Sequence, residues 1–105
     1  MLGIRRFKGV AIDLFQGDLT LFSCDAVLDA ARLGPELAGA DSSSKRHVAV
    51  ANALDPEAAF RGVKSYFEGE RAAPRGVQRL SFVLSSLDQY YEFQDVLFRT
   101  FPDET

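Results

Sequence analysis

VAIDLFQGDLTLFSCDAVLDAAR, residues Val10–Arg32, is the stretch that decides the fold. Val10, Ile12 and Leu14 alternate with Ala11, Asp13 and Phe15, the period of two that marks a strand. Gln16-Gly17-Asp18 ends the pattern as a turn, with Gly17 able to take a positive φ. A second short strand is expected over Asp25–Leu28, running into a small-residue bend at Asp29-Ala30-Ala31. The first strand is expected to span Lys8–Phe15, with Arg5, Arg6 and Lys8 as a solvated basic lead-in.

Further along, Leu33–Ala38 reads as a single helical turn, since Pro35 suits the first turn of a helix. Gly39–Lys45, GADSSSK, is the most loop-like piece of the chain. His47–Asn52 is β-branched and alternating, and reads as a strand. Asp55-Pro56-Glu57 then supplies an N-cap, a first-turn proline and a first-turn acid for a helix over Pro56–Glu68. Its apolar stripe is Ala59, Phe60, Val63, Tyr66 and Phe67. Val77–Ser85 is the strongest strand and is expected at the centre of the sheet. Ser86-Leu87-Asp88-Gln89 fits a capping box for a last helix over Leu87–Phe101, stopped by Pro102. Strands and helices interleaved in this way indicate an α/β fold, a mixed sheet with helices packed on it.

The 105 residues make one domain, 1–105, with 47% hydrophobic and 26% charged residues, the ordinary balance of a globular protein. Nine Phe and no Trp point to a core built on phenylalanine. A single cysteine, Cys24, excludes an internal disulfide, and no Cys/His cluster is spaced for zinc. A net charge of −3 gives no general attraction to nucleic acid. No run reaches the ~18 apolar residues of a membrane span, and the first residues lack a signal peptide's apolar core. A cytoplasmic protein is therefore expected. No GxGxxG, Walker or metal-ligand spacing occurs, so no cofactor is expected.

Gly17-Asp18-Leu19-Thr20 followed by Asp25-Ala26-Val27-Leu28-Asp29-Ala30-Ala31 resembles the opening of the macro domain family. These are α/β modules that bind ADP-ribose, and some hydrolyse its linkages to proteins or to acetate. Val77–Pro102 is similar to the closing strand and helix of such a domain, although VQRLSFVLSS also fits the strand before it. The resemblance implies a macro-domain-like mixed sheet reduced in size. It implies that Asp18 accepts a hydrogen bond from the exocyclic amine of adenine, with Leu19 lining the adenine pocket. Ala30, Ala31 and Arg32 would lie along the rest of the ligand.

The departures are as informative. Where the family has Asn-Ala-Ala-Asn, this chain has Asp29-Ala30-Ala31-Arg32, so the Asn that serves the distal ribose and catalysis is replaced by Arg32. Arg32 can grip a phosphate through its planar fork of donors or simply face solvent. The glycine-rich loop that meets the pyrophosphate is missing, and Ser85-Ser86-Leu87 has no glycine where a second phosphate loop would stand. The expectation is a non-catalytic module that binds an ADP-ribose-type nucleotide weakly or a protein partner. A shortened middle also predicts exposed apolar surface and hence a homodimer. The alternative is a hydrolase of ADP-ribose or O-acetyl-ADP-ribose, with Asp29 or Asp25 positioning water.

Other polar residues have ordinary structural readings. Asp18 can bond its own turn. His47 fits a capping or core role, and Cys24, beside Asp25, fits a half-buried thiol. Ser42-Ser43-Ser44 has a loop's composition. Tyr66, Tyr90 and Tyr91 stand at helical spacing with Phe67 and Phe93, as core or interface aromatics do.

Overall fold

The computed structural model describes residues 4–7, 9–18, 23–42, 45–68 and 76–101. Five strands, β1 (Ile4–Phe7), β2 (Val10–Gln16), β3 (Ala26–Asp29), β4 (His47–Ala51) and β5 (Arg79–Leu84), form one sheet in the order β1-β2-β5-β4-β3. β1 runs antiparallel to β2, and the other neighbouring pairs are parallel. Parallel neighbours need crossovers, and two of these are helices: α1 (Leu33–Ser42) from β3 to β4 and α2 (Pro56–Glu68) from β4 to β5. The third helix, α3 (Leu87–Thr100), follows β5.

All three helices cover one sheet face. Val10, Ile12 and Leu14 of β2, Val48 and Val50 of β4, and Leu80, Phe82 and Leu84 of β5 are buried with Leu33, Leu37, Phe60, Val63, Phe67, Phe93 and Leu97 from the helices. Phe60 is the hub, with its ring 4.9 Å from Phe82, 5.8 Å from Phe93 and 6.0 Å from Phe101, each edge-on. Phenylalanine rings form the aromatic centre of this core, as the composition predicts, with leucine, valine and isoleucine packed around them.

α2 has the expected boundaries, because Asp55 Oδ1 accepts from Glu57 N at 3.1 Å and Ala58 N at 3.4 Å. β5 is the central strand, with Leu80, Ser81, Phe82 and Leu84 all at or below 1% exposure.

Four expectations are corrected. The lead-in is a strand: Arg5 lies with its guanidinium 3.9 Å from the centre of the Phe98 ring, and Phe7 packs on Phe101 at 5.1 Å. Arg5 is thus half-buried, whereas Arg6, on the opposite face, is exposed. The positive φ belongs to Gly9 (+84°), not Gly17: Gly9 stands directly before Val10, which pairs with Phe7 where β1 and β2 meet. The single turn at Leu33–Ala38 is a ten-residue helix that absorbs the start of the GADSSSK stretch. Leu33, Leu37 and Ala40 give it a buried stripe at helical spacing despite Gly34, Pro35 and Gly39. Finally, the strand at His47 stops at Ala51, because Asn52 takes φ +63°. Pro102 and Leu19 lie outside the described residues.

Candidate functional site

Strands β2, β5, β4 and β3 end together at Gln16, Leu84, Ala51 and Asp29. Ligands of open parallel sheets bind beyond such carboxyl ends. Two clefts open there. One, of about 630 Å³, is lined by Gln16, Gly17, Asp18, Ala51, Val83, Ser85 and Gln89 together with Asn52, Ala53 and Leu54. The other, of about 370 Å³, is lined by Ala30, Ala31, Leu33, Asp55, Ala58, Ala59 and Gly62 together with the same Asn52, Ala53 and Leu54. The segment 52–54 is therefore a spine with a cleft on each side.

Local sequence explains the spine. Asn is among the few side chains that tolerate the left-handed region, and Asn52 uses it to turn the chain from β4 toward α2. Ala53 is buried and Leu54 is 84% exposed. The Ala53 carbonyl accepts from Gln89 Nε2 at 3.0 Å, which fastens the spine to the first turn of α3. The N-cap half of the expected capping box is present, Gln89 N donating to Ser86 Oγ at 3.2 Å, whereas Gln89 Oε1 accepts from Ser85 N, one residue before the cap, at 3.3 Å. Gly17 N donates to the Leu84 carbonyl at 2.9 Å, joining the floor between β2 and β5. A Cβ on Gly17 would stand 2.8 Å from the ring of Phe15, which is exposed and would have to turn aside to admit it.

On the other side, Asp29 Oδ1 accepts from Ala31 N at 3.0 Å and caps a single 3-10 turn, Ala30–Arg32, that leads into α1. Glu36 Oε1 accepts from Asp29 N at 2.7 Å and fixes the bend.

The sequence-derived residues divide accordingly. Asp18 lines the larger cleft and Ala30 and Ala31 line the smaller, on opposite sides of the shared spine. Arg32 lines neither; it is 74% exposed and stands 3.9 Å from Glu36. Asp25 lies at the far end of the sheet, where its Oδ2 accepts from Arg46 N and His47 N, each at 3.0 Å. The His47 N–H bond, then the Arg46 one, holds its carboxyl below the usual range despite some desolvation. Asn52 and Leu54 were not singled out from sequence. The signal for the spine was an asparagine placed between a β-branched strand and an Asp-Pro helix start.

A second polar arrangement crosses the sheet on the face opposite the helices. Register sets Asp13 beside Ser81 and His47 beside Arg79. Asp13 accepts from Arg79 and from Ser81 Oγ, and His47 Nε2 lies 2.9 Å from the same Ser81 Oγ. Serine has one proton, which Asp13 takes, so His47 Nε2 is the donor to Ser81. A nucleophilic triad needs the histidine between serine and acid. Here the serine is in the middle and 1% exposed, so this line supports the sheet.

The chain matches no protein-family model and no curated protein. The macro resemblance therefore rests on sequence motifs alone, those around Asp18 and Ala30-Ala31 and the strand-helix pattern from Val77 onward. Among the described residues, no group of three or more His, Cys, Asp or Glu is arranged to hold a metal, and no helix is long and apolar enough to cross a membrane.

Proposed function

We propose that this chain is a reduced macro-like module that binds an ADP-ribose-type nucleotide weakly and does not hydrolyse it. The observation that carries the reading is that Asp18, in one cleft, and Ala30 and Ala31, in the other, flank the same Asn52–Leu54 spine at the carboxyl edge of the parallel strands. Asp18 supplies an acceptor for a base amine in a cleft whose size falls within the range of small-molecule sites. Hydrolysis would need a base within reach of the ligand. Asp25 is at the opposite end of the sheet, and Asp29 caps its own turn and lines neither cleft.

Isothermal titration with ADP-ribose tests this, with Asp18→Ala as the control. The expected result is binding of about millimolar order that is lost in the variant. An absence of heat at millimolar ligand overturns it.

A protein partner is the second reading, favoured by Leu54, Leu87 and Tyr91, which are 84%, 53% and 58% exposed on the spine and the first turns of α3. A second copy of the chain would be the simplest such partner.

A further inference from the structure

We infer that the sheet face opposite the helices binds the phosphate backbone of a single-stranded nucleic acid at its amino end, a site separate from the clefts at the carboxyl edge.

Register assembles the site. Arg6 pairs with Ala11, Ala11 with Arg79 and Arg79 with His47, so the four stand in one row across β1, β2, β5 and β4. Residues paired across neighbouring strands share a face, and this is the face that carries Asp13, Ser81 and His47. At ~4.8 Å per strand the row is about 15 Å long. Lys45 and Arg46, both exposed, precede His47 and extend the band at the foot of β4. Backbone bonds fix that foot. The Arg46 carbonyl accepts from Gln78 N at 2.8 Å and Arg79 N at 2.9 Å, and Arg46 N donates to Asp25 Oδ2.

The cations are available to a ligand. Arg6 is exposed, and the side chains of Arg6, Lys45 and Arg46 have no protein partner among the described residues. Arg79, its side chain 52% exposed, is drawn over β2 by Asp13, which accepts from its Nε and Nη2 and leaves Nη1 unengaged. Its guanidinium therefore lies on the strand next to Arg6, and the residue between the two arginines is the small Ala11. The two acids placed among these cations are already engaged: Asp13 with Arg79 and Ser81, Asp25 with the Arg46 and His47 N–H groups.

Length and shape select the ligand. A band of about 15 Å matches about four nucleotides at the ~3.4 Å rise of a stacked strand, and planar guanidinium forks suit phosphate oxygens. One line of cations can follow one flexible backbone, whereas a stiff duplex turns away from it. A small diphosphate such as ADP-ribose carries no condensed counterions to release, so it gains little here.

The test measures fluorescence anisotropy of a labelled oligothymidylate of about 12 nucleotides with the full chain. Neutralising about three to four phosphates predicts an affinity that falls about 20- to 50-fold between about 0.05 and about 0.2 M salt. Arg6→Glu and Arg46→Glu, on different strands, are each expected to weaken binding about fivefold or more. Arg61→Glu makes the same change of net charge at an exposed position on α2 and is expected to cost about twofold or less. Excess ADP-ribose is expected not to displace the strand. Equal losses in all three charge reversals, displacement by ADP-ribose, or tighter binding of a duplex or of polyglutamate would overturn the inference. So would an absence of binding at about 0.05 M salt. The proposed function at the clefts stands or falls separately.

Discussion

Gln89 fastens the segment between the two clefts to α3, and Gln89→Ala measures how far their geometry depends on it. The substitution removes the bond from Nε2 to the Ala53 carbonyl (3.0 Å, partly buried) and the bond from Ser85 N to Oε1 (3.3 Å, exposed). A typical internal hydrogen bond is worth about 0.5–1.5 kcal/mol net, and the exposed one sits at or below the bottom of that range because water replaces it. The expected loss is about 1–1.5 kcal/mol. For a domain of this size that lowers Tm by about 4–12 °C. Gln89→Glu sharpens the test. Glutamate keeps the acceptor for Ser85 N and adds a favourable charge of about 0.3–1 kcal/mol at the α3 N-terminus. It cannot donate to Ala53. Stability should therefore largely recover while the fastening of the spine, and with it ligand affinity, does not. Far-UV circular dichroism suits the melts, since the chain has no Trp, and calorimetry reads the binding. The reasoning is refuted if Gln89→Ala melts within about 1 °C of wild type. It is equally refuted if Gln89→Glu binds ligand as wild type does.

Three further outcomes follow from the same structure. Ser81→Ala removes the hydroxyl between His47 and Asp13 at a site 1% exposed, and is expected to cost about 2–3 kcal/mol in urea unfolding; a loss below about 0.5 kcal/mol would show the line to be dispensable. The Asp25 carboxyl is held below its ordinary value of 3.8, so its stabilisation is present above that pH and disappears as pH falls through the lower folded value. The Tm gap between wild type and Asp25→Ala should therefore be steady at neutral pH and shrink below about pH 4; a gap that widens there would reverse the sign of the argument. Apolar exposure at Leu54, Leu87 and Tyr91 predicts an elution volume that shifts with concentration toward a dimer, and that fails if Leu87→Lys leaves the shift intact.

How much of this was legible in the sequence depends on how local the physics is. α2 was readable to the residue because Asp55-Pro56 starts it and its apolar stripe is continuous over 59–67. β5 was recognisable as central from its apolar run alone. α1 was underestimated because Gly34, Pro35 and Gly39 weaken its propensity, although Leu33, Leu37 and Ala40 carry the helical period. β1 was missed because Arg5-Arg6 reads as solvated charge, and only the fold brings Phe98 beneath Arg5. The site divides along the same line. Asp18 and Ala30-Ala31 are visible as motifs near strand ends. The line through Asp13, Ser81 and His47 is not, because it joins residues 34 and 68 positions apart through the register of parallel strands. Gln89 was visible as a cap but not as the partner of Ala53, a contact that no local pattern encodes.

The central claim is that one nucleotide-type ligand occupies the carboxyl edge of the sheet, and its most direct test is a heteronuclear NMR titration of the uniformly labelled chain with ADP-ribose. The account predicts shifts confined to Asp18, Ala30, Ala31, Asn52–Leu54 and Gln89, with the amides of Asp25 and Arg46 at the far end unmoved. No shifts at millimolar ligand, or shifts centred away from that edge, would contradict it.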